Sequence, residues 1–268
     1  MGWWGKVLGG TFGFMVGGPL GALLGAALGH RFDKGAQRLT GDAAFGPGAQ
    51  ERVQTAFFTA SFSVMGHLAK ADGRVSAHEI DLARQVMAQM NLASDMRRTA
   101  IHLFNEGKTP DFSLDEVLNQ FRYECHGRRN LILMFIEIQL HAAYADGELH
   151  AAEAQVLHRI CERLGIRQQE YRHLEAMVRA ARQFAGGAAE TPPTAARKLK
   201  DAYAVLGVAS DAPDPEVKKA YRRLMNRHHP DKLVAKGLPD EMISMATEKT
   251  QEIKAAYETV RSARTSES

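Results

Sequence analysis

The spacing of apolar residues predicts a protein built almost wholly from α-helices. From residue 49 to residue 184 apolar side chains recur every three or four positions, and the same period returns from 199 to 260. Long runs of β-branched residues, which favour strands, are scarce. We therefore assign an all-α fold, with about seven helices in the first of these regions. Their predicted ranges are 49–71, 76–91, 95–106, 113–124, 129–145, 150–164 and 168–184.

A run of 23 residues without a charged side chain, Val7 to Gly29, precedes the helical regions. As an α-helix it would measure about 34 Å, which suffices to cross a hydrocarbon core of about 30 Å. Trp3 and Trp4 stand before the run, and the basic residues that follow it are Arg31, Lys34 and Arg38. Because positive charge accumulates on the cytoplasmic side of a span, we expect an external N-terminus and cytoplasmic domains. The alternative is a cleaved signal peptide, which the length of the run and its basic flank disfavour.

Six glycines of the apolar run share a spacing of four residues. Glycine at this period clears one face of a helix, so that a second helix can approach closely in lipid. We therefore expect a homodimer formed through the transmembrane helix, while an accidental period in a glycine-rich segment is the alternative. The glycines are Gly9, Gly13, Gly17, Gly21, Gly25 and Gly29.

Two stretches of the middle region repeat one another at an offset of 74 residues, HLAKADGRVSAHE from residue 67 and HAAYADGELHAAE from residue 141. In each copy a helix is expected to end at Ala-Asp-Gly, where glycine can adopt the left-handed conformation, and a second helix follows. Asp72 with Glu79, and Asp146 with Glu153, could face a divalent cation. Two carboxylates per turn are too few for a calcium or magnesium cage, so we favour a structural role and assign no metal site.

Glycine- and proline-containing stretches mark two linkers, at residues 40–48 and 185–197. The chain therefore divides into six predicted segments. They are a short external N-terminus (1–6), a transmembrane helix (7–30), a juxtamembrane linker (31–48), a helical domain with an internal pseudo-repeat (49–184), a flexible linker (185–198) and a C-terminal helical domain (199–268).

The C-terminal region contains an abrupt helix end in the sequence RRLMNRHHPDKL, residues 222 to 233. Pro230 ends the helix and keeps His229 out of helical geometry. A short helix capped by Asp201 is expected before it, and a helix near 240–260 is expected to pack antiparallel against it. The apolar stripe of the middle helix is Val217, Ala220, Tyr221, Leu224 and His228. Its outer face is basic and carries Lys218, Lys219, Arg222, Arg223 and Arg227.

The segments DAYAVLGV, DPEVKKAYRRLMNRHHPDK and IKAAYETV resemble the J domain, the part of DnaJ-type co-chaperones that engages Hsp70. The resemblance puts the family's signature on His229, Pro230 and Asp231. It implies that His229 and Asp231 contact a DnaK-type Hsp70 and favour ATP hydrolysis, with Pro230 holding the turn and the basic face docking and steering. The glycine/phenylalanine-rich region and the CxxCxGxG zinc repeat of general DnaJ proteins do not occur in the sequence, which implies a specialised co-chaperone.

The repeated A-x-A-D-G-x5-E pattern resembles the TerB-like helical domain of tellurite-resistance proteins. The order of span, TerB-like domain and J domain is similar to that of the DnaJ-like membrane chaperones of Gram-negative bacteria. This resemblance implies a single-pass protein of the bacterial inner membrane with a periplasmic N-terminus, which dimerises through its span and stimulates DnaK. The alternative is a membrane signalling scaffold whose TerB-like domain senses a ligand or a metal ion.

Composition adds two exclusions. The net charge of +3 is too small to indicate a nucleic-acid partner. The sequence also contains no Walker-type phosphate-binding loop. We therefore expect a regulatory protein that needs no cofactor and is not itself an enzyme.

Overall fold

The computed structural model describes residues 18–23, 49–71, 87–88, 92, 94–144, 148–185 and 194–266. Every regular element within these ranges is helical, as the sequence predicts. The helices of the middle domain are α1 (Ala49–Ala69), α2 (Ser94–Gly107), α3 (Leu114–Glu124), α4 (Arg129–Ala143), α5 (Ala151–Leu164) and α6 (Gln168–Ala185). Those of the C-terminal domain are α7 (Ala195–Leu206), α8 (Asp214–His228), α9 (Pro230–Val234) and α10 (Ile243–Ser266), with a 3-10 turn at Asp240–Met242.

The middle domain is organised around α1 and α4, whose side chains are buried on almost every side. From Val53 onward α1 carries mainly apolar or small side chains, and so does α4 from Leu131 onward, which is typical of helices enclosed by others rather than lying at a surface. Phe121 of α3 contacts Phe57 and Phe135 of these two helices, at ring-centroid distances of 5.9 Å and 4.6 Å. The remaining helices pack around this pair with one apolar face each, so one core serves the whole domain.

The observed middle-domain helices match the predicted ranges to within two residues at each end, apart from the one near 76–91. Only residues 87–88 of that range are described, and both are helical. Asp72, Glu79 and Asp146 of the repeated turns lie outside the described residues. The second copy of the repeat is seen in part, because α4 ends shortly before its turn and α5 begins after it.

In the C-terminal domain α8 and α10 pack against each other with α7 across them. Tyr221 and Tyr257 stack between the two longer helices, with ring centroids 4.2 Å apart and planes inclined by 15°. The stripe predicted on α8 is buried or half-buried, which confirms the period of its sequence. Arg264 closes the far end, since its guanidinium donates to the Tyr203 hydroxyl at 2.8 Å and to the Ala212 carbonyl at 2.7 Å.

The start of α7 corrects one prediction. The helix begins at Ala195, six residues before the predicted cap at Asp201, and so takes in residues assigned to the flexible linker. Thr194 is the actual cap, because its hydroxyl accepts a hydrogen bond from the Arg197 backbone N–H at 3.4 Å. Asp201 is instead a buried residue within the helix. Gly207 ends α7 in the left-handed conformation, as the sequence predicts.

The C-terminal domain packs directly on the middle domain. Met177, Ala180 and Ala181 of α6 share a core with α7, and a second group from the C-terminal domain joins the core of the middle domain. Gly237, at φ +96°, lies so close to α1 that a Cβ on it would come within 2.7 Å of Val53 Cγ1. The second group is Leu233, Leu238, Met242 and Ala246.

Only residues 18–23 of the predicted membrane span are described. They are helical and lie against α3, where the Leu20 backbone N–H donates to Gln120 Oε1 at 2.7 Å. In the ranges that the structure covers, no helix has both the length and the apolar character that a membrane crossing requires. Of the six ladder glycines only Gly21 falls within those ranges, so the other five lie outside the described residues.

Candidate functional site at the His-Pro-Asp turn

The His-Pro-Asp sequence forms a fixed turn between α8 and α9. His229 leaves helical geometry with φ −59° and ψ 121°, as expected for a residue that precedes proline. Its carbonyl accepts hydrogen bonds from the backbone N–H groups of Lys232 and Leu233, both at 3.1 Å. Leu233 is fully buried among residues of the middle-domain core, so it anchors the turn there. Pro230 starts α9, where its missing N–H leaves no hydrogen bond unmade.

Of the two polar side chains of the signature, that of Asp231 points outward, whereas that of His229 is half-buried with its Nδ1 enclosed. The Asp231 side chain is 90% exposed and that of His229 is 46% exposed. Their nearest polar atoms, His229 Nδ1 and Asp231 Oδ2, are 3.9 Å apart, which is too far for a hydrogen bond. A carboxylate and an imidazole are therefore held beside each other on a rigid backbone, available to a partner.

The basic face of α8 divides into two parts. Four of its five residues are exposed, which makes a positive surface that leads to the turn; they are Lys218, Lys219, Arg222 and Arg223. Arg227 is partly buried, and burial lowers the pKa of its guanidinium while the charge of Glu137 opposes that change. The sequence predicts all five on one solvent-facing side of the helix, and the structure corrects this prediction for Arg227. It lies where α8 meets the middle domain and cannot act as a freely exposed charge.

His228, the residue directly before the signature, points the opposite way from His229. It is 1% exposed, and its Nε2 lies 3.6 Å from Oε1 of Glu137, a buried residue of α4. Burial, followed by the charges of Lys249 and Arg227, holds the pKa of His228 well below its usual range. Burial likewise raises the pKa of the Glu137 carboxyl, against the nearby Lys249 and Arg227.

Glu137 went unnoticed in the sequence, although a signal was present. It is the one acidic residue in the helix RNLILMFIEIQLHAA, whose other central positions are almost all apolar. A carboxylate is rarely buried unless a polar or charged group interacts with it. The position of Glu137 in such an apolar run therefore indicates a polar neighbour from another element. The sequence alone could not say that this neighbour belongs to the C-terminal domain.

Of the four carboxylates in the repeated turns, Glu153 is described, and its role is structural. Glu153 accepts a hydrogen bond from the His150 backbone N–H at 3.0 Å and so caps the start of α5. This is the structural role favoured for the repeated turns. Within the described ranges, no group of three or more metal-ligating side chains comes together.

Three family models match the chain in the order expected from its sequence. The model for the co-chaperone DjlA transmembrane domain matches residues 1–39, that for tellurite resistance protein TerB matches 58–176, and the DnaJ domain matches 201–267. A co-chaperone protein DjlA of Coxiella burnetii is 47% identical, over 98% of this chain and 99% of its own length. The chain belongs to the DjlA co-chaperone family.

Other DjlA proteins show the same extent of similarity. That of Vibrio cholerae is 47% identical over 96% of both chains, and that of Salmonella typhimurium is 44% identical over 97% of this chain and 98% of its own. No solved structure matches the chain. Membership in the DjlA family confirms the TerB-like domain, the J domain and a membrane-anchored, DnaJ-like co-chaperone. Co-chaperones of this kind generally have a regulatory role.

Proposed function

We propose that this DjlA-family protein stimulates ATP hydrolysis by a DnaK-type Hsp70, and that His229, Pro230 and Asp231 carry this activity. The observation that supports the proposal is the rigid turn that exposes 90% of the Asp231 side chain. A partner can bind this carboxylate without any rearrangement of the J domain, so little conformational entropy is lost on binding. The established family role of a co-chaperone fits such a site.

The exposed part of the basic face supports the same partner. Lys218, Lys219, Arg222 and Arg223 form a positive surface beside the turn. Such a surface accelerates encounter with an acidic partner and fixes its orientation, while contributing less to the lifetime of the complex. We assign docking and steering to these residues and the effect on hydrolysis to His229 and Asp231.

We also propose where the protein lies in the cell, on the basis of its N-terminal sequence. The charge-free run from Val7 to Gly29, with basic residues after it, supports one inner-membrane span with the N-terminus in the periplasm and both helical domains in the cytoplasm. The family match over residues 1–39 supports the span itself. The four-residue glycine period supports a homodimer through this span. This dimer is tested by replacing both Gly17 and Gly21 with Leu, which should reduce self-association in a membrane reporter assay.

The decisive experiment measures single-turnover ATP hydrolysis by DnaK with the full chain in lipid nanodiscs. Wild type is expected to stimulate hydrolysis, and Asp231→Asn is expected to abolish stimulation while the melting temperature stays unchanged, because the side chain is exposed. Asp211→Asn is the matched control, since Asp211 is also exposed but lies beyond the other end of α8. Full stimulation by Asp231→Asn would refute the proposal and favour a membrane scaffold that uses its TerB-like domain.

A further inference from the structure

The TerB-like domain and the J domain meet at a closely packed interface. Gly207, at φ +66°, lies under His173 of α6, so that a Cβ on this glycine would come within 2.3 Å of the His173 ring. On the other side of the interface Gly237 meets Val53 of α1. Leu233, the anchor of the His-Pro-Asp turn, is part of the TerB-like domain's own core. The turn is therefore built on both domains.

One polar contact lies inside this interface. Oε1 of Glu137 and both ring nitrogens of His228 are buried without a hydrogen-bond partner among the described residues, and the carboxylate and the imidazole face each other at 3.6 Å. Burying either group alone would cost free energy, because its hydrogen bonds to water are lost on burial. Facing each other, they can share one proton and offset that cost only while the two domains stay docked.

Charged and titratable groups from several helices lie around this contact. Lys249 of α10 is buried and forms an ion pair with Glu252 at 3.1 Å. Its charge acts on both Glu137 and His228, as does that of Arg227. His173 of α6 also faces Glu137, and His141 lies one turn further along α4. The contact is thus the centre of a polar cluster to which both domains contribute.

The exposure of the turn decides what this contact can do. If the TerB-like domain masked the signature, it would cover His229 and Asp231, yet the Asp231 side chain is 90% exposed and that of His229 is 46% exposed. Around the turn, His228 before the signature and Leu233 after it are buried, whereas residues 229–232 between them are not. Docking therefore fixes both ends of the turn and leaves its functional side chains free.

We propose that Glu137 of the TerB-like domain is a positioning residue for the His-Pro-Asp turn and acts through His228. Glu137 itself touches no partner. It holds the last residue of α8 in place, and so keeps His229 and Asp231 in the orientation that a partner meets. The functional part of this inference rests on the proposed stimulation of Hsp70, whereas the effect on the turn can be measured without Hsp70.

The test is a double-mutant cycle on the full chain in nanodiscs, with Glu137→Leu, His228→Leu and both together. The first readout is hydrogen exchange at the backbone N–H groups of Lys232 and Leu233, which bond to the His229 carbonyl. Each single variant should speed this exchange about tenfold, because one buried polar group is left facing a leucine. The double variant should exchange no faster than either single one, since two apolar side chains can replace a buried pair.

The second readout is DnaK stimulation, where each single variant should raise the half-maximal chain concentration about fivefold. Gln139→Leu is the matched control, because Gln139 is a buried polar residue of the same helix that donates to the Ser61 carbonyl at 3.1 Å, inside the TerB-like domain. It should lower the melting temperature without changing exchange at the turn or stimulation.

Three outcomes would overturn the inference. The first is that Glu137→Leu speeds exchange at the turn as much in the His228→Leu background as in wild type. The second is that Gln139→Leu speeds this exchange as much as Glu137→Leu does. The third is that Glu137→Leu or His228→Leu increases DnaK stimulation, which would mean that docking masks the site. A wild-type chain that fails to stimulate DnaK would instead refute the proposed function, while the exchange cycle would still decide whether Glu137 positions the turn.

Discussion

His228 and His229 are neighbours in the chain, yet they belong to two different regions of the molecule. The first is 1% exposed and faces a buried carboxylate of the TerB-like domain, whereas the side chain of the second is 46% exposed beside Asp231. The helix end between them produces the difference. His228 is the last residue of the apolar stripe of α8, four positions after Leu224, while the following proline turns His229 away from that stripe.

The same division separates Arg223 from Arg227 on one helix face. Both are basic residues that point away from the J-domain core, but only Arg223 remains exposed once the TerB-like domain is in place. Helical period alone therefore tells which residues leave the core of their own domain. It does not tell which of them a second domain will cover, and here that decides whether a charge can steer a partner.

The first prediction exchanges the two histidines separately for glutamine and has the largest expected effect. His229→Gln should reduce DnaK stimulation at least about tenfold and leave the melting temperature within roughly 1 °C, because an exposed side chain contributes little to packing. His228→Gln should lower the melting temperature by several degrees, since it disturbs a buried contact worth about 1–3 kcal/mol. Thermal unfolding and single-turnover hydrolysis measure both quantities. Equal effects on stability would contradict the division.

The second prediction concerns the exposed part of the basic face. Arg222→Glu combined with Arg223→Glu should raise the half-maximal chain concentration for DnaK stimulation about tenfold in low salt, and much less at high ionic strength, because salt screens exposed charges. Titrations at two salt concentrations measure this. Lys198→Glu with Lys200→Glu changes the net charge equally, at exposed positions of α7, and should have little effect.

Arg227→Glu sharpens this second prediction. It would bring a new carboxylate next to the buried Glu137, so it should weaken the docking of the two domains. Its effect on stimulation should therefore persist in high salt and should be accompanied by a lower melting temperature. A purely salt-dependent loss would show that Arg227 belongs with the exposed residues after all.

Much of the J domain could be predicted from its sequence because local signals act there without competition. The proline, the apolar stripe and the glycine at the end of α7 each determine their own neighbourhood, and the structure agrees with all three. The start of α7 was misjudged because Asp201 is a good capping residue by type. Thr194 can cap a longer helix whose face packs on α6, and tertiary packing outweighed the local preference.

The relation between the domains could not be predicted, for a physical reason. A stripe that ends in His228 indicates burial but names no neighbour, and a carboxylate within α4 indicates a polar contact but not its source. Only the packing of α6 against α7, and of α9 against the TerB-like core, brings the two residues together. Pairing of this kind depends on contacts between residues about ninety positions apart, and no local period encodes it.

The last prediction uses acid to probe His141, a partly buried residue of α4, and its expected effect is the smallest. Burial, followed by the charges of Lys249 and Arg182, lowers the pKa of His141 to about 3. The unfolded chain therefore binds a proton at this residue below about pH 6.5, whereas the folded chain does not until about pH 3. The stability contributed by neutral His141 is complete above about pH 6.5 and is lost progressively as the pH falls towards 3.

His141→Gln removes this titration, so its melting temperature should fall less than that of wild type between pH 7 and pH 5, by a difference of about 3–6 °C. Comparison with wild type at each pH isolates His141 from Glu137, whose raised pKa acts in the opposite direction because the folded chain binds that proton first. His126→Gln is the control, since His126 is exposed and should give the wild-type slope. Identical slopes for His141→Gln and wild type would mean that water reaches this side of the interface. The contrast in burial between His228 and His229 would then not extend to His141.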